Sequence, residues 1–335
     1  MHMGIIGAGG WGSALAVSYA KAGWNVTIWA HNVETAIEIN ERHTNCSYLP
    51  GVDFPHNIKA TASFQFLQEE KLVLLMTPAQ HIRSVVKEAR KFFNPETVMV
   101  HGAKGIERGS LKRISEVIEE ETAGAFPVLV LSGPTHSEEV ARQMPTACVL
   151  AGSNQLILKE MQNQLMLPSF RIYTSEDVIG VEIGGSLKNV MAIATGIADG
   201  IGYGDNAKGA LVTRGLAEMA KLGVRMGANP LTFAGLSGMG DLIATCTSSH
   251  SRNRQAGIAL AQGKSLQDIQ NSSKMVVEGA FTASAAYKLG LKYEVELPIV
   301  REVVSVLEGI KSPAEIAGLL MTREAQEELN YLLQS

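Results

Sequence analysis

The stretch MHMGIIGAGGWGSALAVSYA, residues 1–20, decides the fold of this chain. An apolar run, Met1–Ile6, leads into glycines spaced G-x-G-x-x-G at Gly7, Gly9 and Gly12, and a helical pattern follows. In such a unit the first glycine makes a tight turn, the second lets a pyrophosphate approach the backbone, and the third lets helix and strand pack closely. The helix N-terminus then stabilises the anion. This order of strand, glycines and helix predicts a dinucleotide-binding fold.

A second strand is predicted at Asn25–Trp29, and His31 follows its carboxyl end. Folds selective for NAD usually carry an acidic residue about 20 residues beyond the glycines, where it binds the ribose 2′-hydroxyl. Because His31 stands there instead, nothing repels a 2′-phosphate, and the imidazole can donate a hydrogen bond to it. An exposed turn histidine without a ligand is the alternative. The pattern predicts NADP(H) or NAD(H) as cofactor, with NADP(H) at least as favoured.

Short apolar runs continue to alternate with helix-length segments after Trp29. The runs predicted to be strands are Lys71–Met76, Thr97–His101, Pro127–Leu131 and Thr146–Ala151, with a loop at Cys46–Asn57. Strands separated by helices imply parallel crossovers and a doubly wound sheet. Strand signals end near Val178. We therefore predict an α/β fold, with a Rossmann-type doubly wound parallel sheet domain at residues 1–178 and an all-helical domain at residues 179–335, which would hold substrate and carry out catalysis.

The composition of the chain narrows the possible partners. The 335 residues carry a formal net charge of −4, which gives no electrostatic footprint for nucleic acid or an anionic membrane. We expect no leader segment and no membrane insertion, because the first strand begins at once and polar residues interrupt the apolar stretches. Cys46, Cys148 and Cys246 lack metal-site spacing, so we expect free thiols, no metal and a cytoplasmic location.

The segment Glu182–Gly200, EIGGSLKNVMAIATGIADG, is predicted to be a helix of small and apolar residues around Lys188. Such a helix is packed on all sides, and burial disfavours the charged form of a lysine. Lys188 is therefore a candidate acid/base. The alternative, equally weighted from this helix alone, is a lysine whose ammonium group reaches past the small residues to water.

Three further polar features are candidates for ligand binding. Lys104 lies in a glycine-flanked turn after a strand, on the side where doubly wound sheets bind ligands; an ordinary exposed lysine is the alternative. The cluster at residues 248–254, SSHSRNR, precedes a predicted helix at Gln255–Ala261 and resembles a phosphate cradle, or else a polar helix cap with a solvated arginine. Asp241 follows a glycine-rich turn, where it either orients a lysine or caps its own turn.

Motifs along nearly the whole chain resemble those of the bacterial NAD(P)-dependent glycerol-3-phosphate dehydrogenases. They are GAGGWGSALA from Gly7, KGIE from Lys104, SGPTHSEEVA from Ser132, EIGGSLKNVMAIATGIADG from Glu182, LSGMGDLIATCTSSHSRNR from Leu236 and VVEG from Val276. The chain departs from the family at His136 and Ser137, where an apolar residue and alanine are expected, while Trp11 and His31 stand where the family varies.

The resemblance implies a role for specific residues, with Lys188 as proton donor and acceptor. Implied substrate contacts are Lys104, Gly133, Thr135, Lys188, Asp241, Ser251, Arg252 and Asn253. Implied cofactor contacts are Gly10, Trp11, His31, Lys104, Ser137, Arg252, Val276 and Glu278, together with Gly7, Gly9 and Gly12 of the motif. Lys104 and Arg252 would thus contact both ligands.

The implied reaction is the reversible NAD(P)H-dependent reduction of dihydroxyacetone phosphate to sn-glycerol 3-phosphate, a backbone for glycerophospholipids. The reaction requires a fixed phosphate, a hydride and a proton for the developing alkoxide. Arg252 and Asn253 are suited to fixing the phosphate, the nicotinamide supplies the hydride, and Lys188 is suited to supplying the proton. Small-residue helices in the second half predict a homodimer.

Two other hypotheses remain at this stage. One is a dehydrogenase of similar architecture that acts on a β-hydroxyacid or sugar acid, which would also present Lys188 followed by Asn189 but would be expected to use a carboxylate-binding arginine. The other is a catalytically silent nucleotide-binding redox sensor, which would leave Lys104, Lys188 and Asp241 without a shared purpose. An assay of NAD(P)H oxidation with dihydroxyacetone phosphate separates the silent sensor from the enzymes.

Overall fold

A computed structural model describes residues 1–272 and 277–316. Contacts divide the chain into two compact units: the first contains Met1–Lys104 and Lys112–Val178, and the second contains Gly105–Leu111 and the chain from Ile179 onward. The single boundary predicted from the sequence, at residue 178, instead assigns Gly105–Leu111 to the first unit. The side chain of Ile106 belongs to the hydrophobic core of the second unit, which explains where this segment lies.

The first unit is built on one eight-stranded sheet with the order β3-β2-β1-β4-β5-β6-β7-β8. The strands are β1 His2–Ile6, β2 Asn25–Trp29, β3 Ile58–Thr61, β4 Leu72–Leu75, β5 Val98–His101, β6 Val128–Ser132, β7 Thr146–Ala151 and β8 Phe170–Ser175. All strands from β3 across to β6 run parallel, so the carboxyl ends of β1, β2, β4, β5 and β6 meet at one edge. The predicted fold class, a doubly wound sheet followed by a helical region, is confirmed.

Helices cover both faces of this sheet. They are α1 Gly10–Lys21, α2 Val33–Arg42, α3 Ile82–Ala89, α4 Ile114–Thr122, α5 Ser137–Ala141 and α6 Gln155–Leu165. Successive strand residues point to opposite faces, so Ile5 packs in one core with Leu15 of α1, while Ile6 packs in the other with Ile82 of α3. Near-continuous apolar strands are the consequence of this two-sided burial.

One strand departs from the expected direction. β7 pairs antiparallel with β6, with Leu131 opposite Leu150, and β8 then runs parallel to β7. The connection from β6 to β7 contains only the five-residue helix α5. A helix that short rises about 8 Å, about half the length of a strand, so it does not return the chain to the start of β6 for a parallel crossover.

Two strands were not predicted from the sequence. β3 is a four-residue strand with Lys59 exposed on its surface, too short to stand out beside the loop that precedes it. β8 alternates buried Phe170 and Ile172 with exposed Arg171 and Tyr173. This alternation of apolar and polar residues is typical of a half-buried strand, so β8 could have been predicted from the sequence.

From Ile179 onward the described residues of the second unit form helices joined by turns and loops. Its helices are α7 Val178–Ile201, α8 Asp205–Arg225, α9 Asp241–Thr247, α10 Arg252–Ala261, α11 Leu266–Ser272, α12 Glu278–Lys292 and α13 Pro298–Leu307. By length and composition α7 could cross a membrane, the one such helix within residues 1–272 and 277–316, although the polar residues expected to interrupt it, such as Lys188, are present. Because 89% of its apolar window is buried inside the protein, α7 has the character of a core helix.

Candidate active site

The three motif glycines in the turn between β1 and α1 have different surroundings. Gly7 has φ +121°, and a β-carbon on it would lie 2.8 Å from the backbone of Met76. A β-carbon on Gly12 would collide with the carbonyl oxygen of Gly7. A β-carbon on Gly9, in contrast, would meet nothing within 4 Å. Gly7 and Gly12 thus shape the turn, and Gly9 leaves its outer face open, as a bound pyrophosphate requires.

Other predicted cofactor residues lie around this turn. A β-carbon on Gly10 would lie 3.0 Å from the carbonyl oxygen of Tyr48 and 3.5 Å from the hydroxyl of Ser137. Trp11 packs with its indole nitrogen beside Gly102 at the end of β5, 2.7 Å from where a β-carbon would be. Gly10, Trp11 and Ser137 are therefore brought together at the carboxyl edge of the sheet.

His31 is exposed just beyond β2, at the same edge. Its ring centroid lies 5.9 Å from that of Trp29, which stacks on Phe64 at 4.7 Å and donates a hydrogen bond to the carbonyl of Ala62 at 3.1 Å. The anchored indole gives the histidine a fixed apolar neighbour, while its polar edge is exposed to solvent. This geometry suits a group that meets the adenosine ribose.

Lys104 joins the turns that follow β5 and β6. Its ammonium group donates to the carbonyl of Gly133 at 2.8 Å and to the hydroxyl of Thr135 at 3.2 Å. Gly133 has φ +136°, and a β-carbon there would lie 2.9 Å from the backbone of Cys148. The predicted substrate residues of the first unit therefore form one hydrogen-bonded group. Burial raises the pKa of the Cys148 thiol beneath it, so that thiol stays neutral and inert.

Lys188 lies in the middle of α7 and is only 6% exposed. Its ammonium group donates to the carboxylate of Asp241 at 2.5 Å and to the hydroxyl of Thr245 at 2.8 Å. The Thr245 hydroxyl in turn donates to the backbone carbonyl of Asp241 at 2.6 Å. Lys188 thus does not reach past its neighbours to water. The carboxylate stabilises the ammonium form, which opposes the effect of burial that the sequence suggested.

Thr245 was missed as a partner of Lys188 by sequence reasoning, although a signal was present. Asp241 and Thr245 are four residues apart at the start and in the body of α9, so their side chains share one face of that helix. A buried acid followed by a hydroxyl one turn later is the pattern that would have identified the pair.

Glycines explain how Asp241 comes close to α7. A π-helical turn, Leu236–Gly240, leads directly into α9. A β-carbon on Gly184 would lie 2.6 Å from the carbonyl oxygen of Ser237, and one on Gly238 would collide with the backbone of Phe233. Small residues at these positions let the turn pack against α7 and deliver the carboxylate to Lys188. Single π-helical turns are frequent at functional sites.

The polar cluster at residues 248–254 forms the N-terminus of α10. The helix begins at Arg252, three residues before the predicted Gln255, and Ser251 caps it by accepting from the backbone N–H of Arg254 at 3.3 Å. Arg252 is exposed in the first turn. A side-chain guanidinium and free N–H groups thus share one helix end, an arrangement that favours a dianion.

Arg254 and Asn253 fasten this helix end to its neighbours. The Arg254 guanidinium donates to Asp199 of α7 at 2.6 Å, and Lys208 of α8 reaches the other oxygen of Asp199 at 2.9 Å. The buried Asn253 amide donates to Asn189 at 2.9 Å and accepts from the N–H of Gly279 at 3.0 Å. Asn253 is therefore already hydrogen-bonded inside the unit, which leaves Arg252 and the backbone N–H groups as the outward-facing donors.

Two predicted cofactor residues, Val276 and Glu278, belong to the chain around the start of α12. Glu278 is the first residue of α12, and Val276 lies outside the described residues. The three cysteines are free, and burial raises the pKa of Cys246 to about 11, so its thiol is uncharged at neutral pH. Within residues 1–272 and 277–316, no group of three or more His, Cys, Asp or Glu side chains is placed to hold a metal ion.

Comparison with known proteins gives a consistent result. Residues 2–157 match the family model described as NAD-dependent glycerol-3-phosphate dehydrogenase N-terminus, and residues 177–318 match the model for its C-terminus. The chain is 47% identical over 333 residues to glycerol-3-phosphate dehydrogenase [NAD(P)+] of Halalkalibacterium halodurans, covering 99% of this chain and 96% of that protein. It is 49% identical over 329 residues to the protein of the same name from Pelotomaculum thermopropionicum, covering 97% and 94%.

A solved structure agrees with these relatives. The crystal structure of glycerol-3-phosphate dehydrogenase from Coxiella burnetii superposes with a TM-score of 0.92 at 36% identity, covering 96% of this chain and 99% of that one. Both halves of the chain and its complete fold thus match one group of NAD(P)-dependent oxidoreductases. The chain belongs to the NAD-dependent glycerol-3-phosphate dehydrogenase family.

Proposed function

We propose that this chain catalyses the reversible NAD(P)H-dependent reduction of dihydroxyacetone phosphate to sn-glycerol 3-phosphate, for use as a glycerophospholipid backbone. The observation that carries the proposal is the buried Lys188, held by Asp241 and Thr245. A buried ammonium group with a fixed direction is suited to protonating an alkoxide, and a membership in this enzyme family supports that role. A silent nucleotide sensor would have no use for such a group.

We assign the phosphate arm of the substrate to the N-terminus of α10. Arg252 supplies a guanidinium, and the N–H groups of the first turn supply further donors, while Ser251 and Asn253 hold the turn in shape. A carboxylate substrate would be satisfied by the arginine alone. The helix end adds donors that match the three oxygens of a phosphate, which favours a phosphorylated substrate over a β-hydroxyacid.

We assign the proton to Lys188. In the direction of reduction its ammonium group donates a proton to the oxygen that develops negative charge, and Asp241 stabilises the cation until that moment. In the reverse direction neutral Lys188 accepts the hydroxyl proton. The hydroxyl of Thr245, fixed by its own bond to the Asp241 carbonyl, keeps the lysine nitrogen in one position.

The roles of the first unit follow from its turns. When bound, NAD(P)H supplies the hydride for the ketone carbon. Gly7, Gly9, Gly10 and Gly12 shape the turn for its pyrophosphate, and Trp11, His31 and Ser137 surround that turn. Lys104, with Gly133 and Thr135, presents a positive charge for the substrate.

We also propose a cytoplasmic homodimer that uses no metal and binds no nucleic acid. The free cysteines support the cytoplasmic location, and the net charge of −4 supports the proposal that the chain binds no nucleic acid. The small residues that suggested the dimer pack inside the second unit, as Gly184 does, so the contact between copies must use other apolar side chains, such as the exposed Leu231 or Leu291. Light scattering of the purified protein measures the oligomeric state directly.

The proposal is tested by NAD(P)H oxidation with three carbonyl substrates. We expect rapid turnover with dihydroxyacetone phosphate, very slow turnover with unphosphorylated dihydroxyacetone, and none with a β-keto acid. The Lys188→Met variant is the control for contaminating activity. Equal rates with the β-keto acid would favour the β-hydroxyacid alternative, and absence of turnover with every substrate despite cofactor binding would favour a sensor.

A further inference from the structure

The loop between α2 and β3 contains a fully buried amide, Asn45, that contacts the glycine motif. Its Nδ2 donates to the carbonyl oxygen of Ala8 at 2.9 Å and to the hydroxyl of Ser13 at 2.9 Å. The Ser13 hydroxyl lies 3.4 Å from the same carbonyl. Asn45 and Ser13 are both 0% exposed, so these bonds are shielded from water. Two side chains are thus committed to one backbone carbonyl between the first two glycines.

The direction of that carbonyl decides the direction of the next N–H. In a planar trans peptide the carbonyl of Ala8 and the N–H of Gly9 point to opposite sides. With the carbonyl held toward Asn45, the Gly9 N–H points away from the loop. The following carbonyl, of Gly9, accepts the first helical bond from the Ser13 N–H at 2.9 Å, which turns the Gly10 N–H away from the helix body in the same manner.

The loop also supports the turn from its side. The N–H of Leu49 donates to the carbonyl of Asn45 at 2.8 Å and closes a single turn of chain. That turn brings the carbonyl oxygen of Tyr48 against Gly10, where a β-carbon would lie 3.0 Å away. The loop therefore contacts the motif at Ala8 and at Gly10, on either side of Gly9, while the outer face of Gly9 stays open.

We propose that Asn45 is a positioning residue for dinucleotide binding. It fixes the Ala8 peptide so that the N–H groups of Gly9 and Gly10 are aimed at the pyrophosphate before the cofactor arrives. The pyrophosphate is common to both cofactors, so Asn45 supports NADH and NADPH equally, unlike His31. The inference rests on the proposed cofactor binding, and it concerns affinity for one chemical group of the cofactor.

The chain offers a matched control in Asn57. Its Nδ2 also donates two bonds to backbone carbonyls of the α1 region, to Ala20 at 2.8 Å and to Trp24 at 2.6 Å, but at the far end of α1 from the glycines. Asn45→Ala and Asn57→Ala therefore remove the same side chain and the same number of bonds. Only the first removes them from the pyrophosphate turn.

The experiment measures thermal stability and two dissociation constants without substrate or turnover. The ligands are NADPH and adenosine 2′-monophosphate, which keeps the adenosine end and the 2′-phosphate of the cofactor but has no 5′-phosphate. We expect Asn45→Ala to raise the Kd of NADPH by about tenfold or more and that of the monophosphate by less than about threefold. Asn57→Ala should lower Tm and leave both constants within about threefold.

Equal weakening of both ligands by Asn45→Ala, or no weakening of NADPH, overturns the inference. If Asn45→Ala does not fold, Ser13→Ala removes the smaller partner of the same carbonyl, and a selective loss of NADPH affinity there supports the inference while unchanged affinity overturns it. Tight binding of NADPH by the unmodified chain separates these outcomes from failure of the proposed function, since absence of binding by the unmodified chain would refute both.

Discussion

The two units offer ligands different kinds of chemical group. At the carboxyl edge of the sheet most donors are backbone N–H groups, in a turn shaped by Gly7 and Gly12, whose backbone or packing leaves no room for a side chain. In the helical unit the main proposed donors are charged side chains, Lys188 and Arg252, and a glycine such as Gly184 lets the turn Leu236–Gly240 pack against α7. We therefore expect substitutions that add atoms to impair the glycine turn. We expect substitutions that remove a charged side chain to impair the helical unit.

The largest expected effect is at the side-chain site. Lys188→Ala should lower kcat by about 10²- to 10⁴-fold with little change in cofactor affinity, because it removes the proton donor and leaves the sheet unit intact. Steady-state kinetics and a binding titration measure both. Removal of Lys188 also leaves the buried Asp241 without its cation, so Lys188→Met combined with Asp241→Asn serves as a folded control. A loss of kcat below about tenfold would refute the assignment.

The backbone site is tested by two alanines in one motif. Gly12→Ala forces a methyl group into the Gly7 carbonyl and should destabilise the unit by about 3 kcal/mol or more. Gly9→Ala meets nothing within 4 Å, so it should leave Tm nearly unchanged while it raises the Kd of NADPH by about tenfold or more. Calorimetry and fluorescence titration provide the readouts. Unchanged NADPH affinity in Gly9→Ala would show that the pyrophosphate does not approach that face.

The phosphate assignment is tested by Arg252→Ala. The loss of a charged donor should reduce kcat/KM for dihydroxyacetone phosphate by about 2–3 kcal/mol, and much less for unphosphorylated dihydroxyacetone. Arg225→Ala, at the end of α8 in the same unit, is the matched loss of an arginine. Equal losses on both substrates would mean that Arg252 acts on the cofactor or on stability. Inorganic phosphate should compete with substrate in the unmodified enzyme.

Glu70, just before β4 at the opposite edge of the sheet, should affect stability alone. Burial, with a smaller contribution from Glu69, raises the pKa of Glu70 from 4.5 to about 7. The folded state therefore holds this proton more tightly than the unfolded chain, so the contribution of Glu70 to stability is fully present below pH 4.5 and is lost as pH rises through 7. Glu70→Gln should abolish this loss, worth at most about 3 kcal/mol above pH 7. Denaturant unfolding at several pH values measures it, and kcat should not change.

The smallest expected effect concerns cofactor choice. A carboxylate at residue 31 would bind the ribose diol and repel a 2′-phosphate, so His31→Asp should raise the ratio of NADH to NADPH efficiency by at least tenfold, about 1.4 kcal/mol. We expect the unmodified enzyme to accept both and to prefer NADPH. Asn32, the adjacent cap of α2, is left unchanged so that the helix start is preserved. An unaltered ratio would show that residue 31 does not meet the ribose.

Local geometry explains which features could be predicted from sequence. The turn from Gly7 to Gly12 was predicted because its residues are consecutive and its backbone requires glycine. The long helix around Lys188 was predicted from its run of small and apolar residues. The direction of β7 was not predicted correctly, because it depends on the length of α5 rather than on the sequence of the strand itself.

Contacts between distant residues were accessible only in part. Asp241 was predicted as a possible partner of a lysine, but it follows Lys188 by 53 positions, so the sequence does not show that the two are in contact. Thr245 was found in the site only from the structure. Asn45 lies in a segment predicted simply as a loop, and its bond to Ala8 spans 37 residues. Such contacts are fixed by packing, which no local pattern in the chain records.

The pairing of Asp199 with Arg254 and Lys208 has a consequence for turnover. Two arginines stand in the first turn of α10, and Arg254 already has a carboxylate partner in Asp199. On the proposed assignment of the substrate phosphate to this helix end, the phosphate meets the guanidinium of Arg252. A second guanidinium would hold substrate and product equally tightly, which would not speed the chemical step but would slow the departure of a dianionic product. By occupying Arg254, Asp199 would then shorten the residence time of the product.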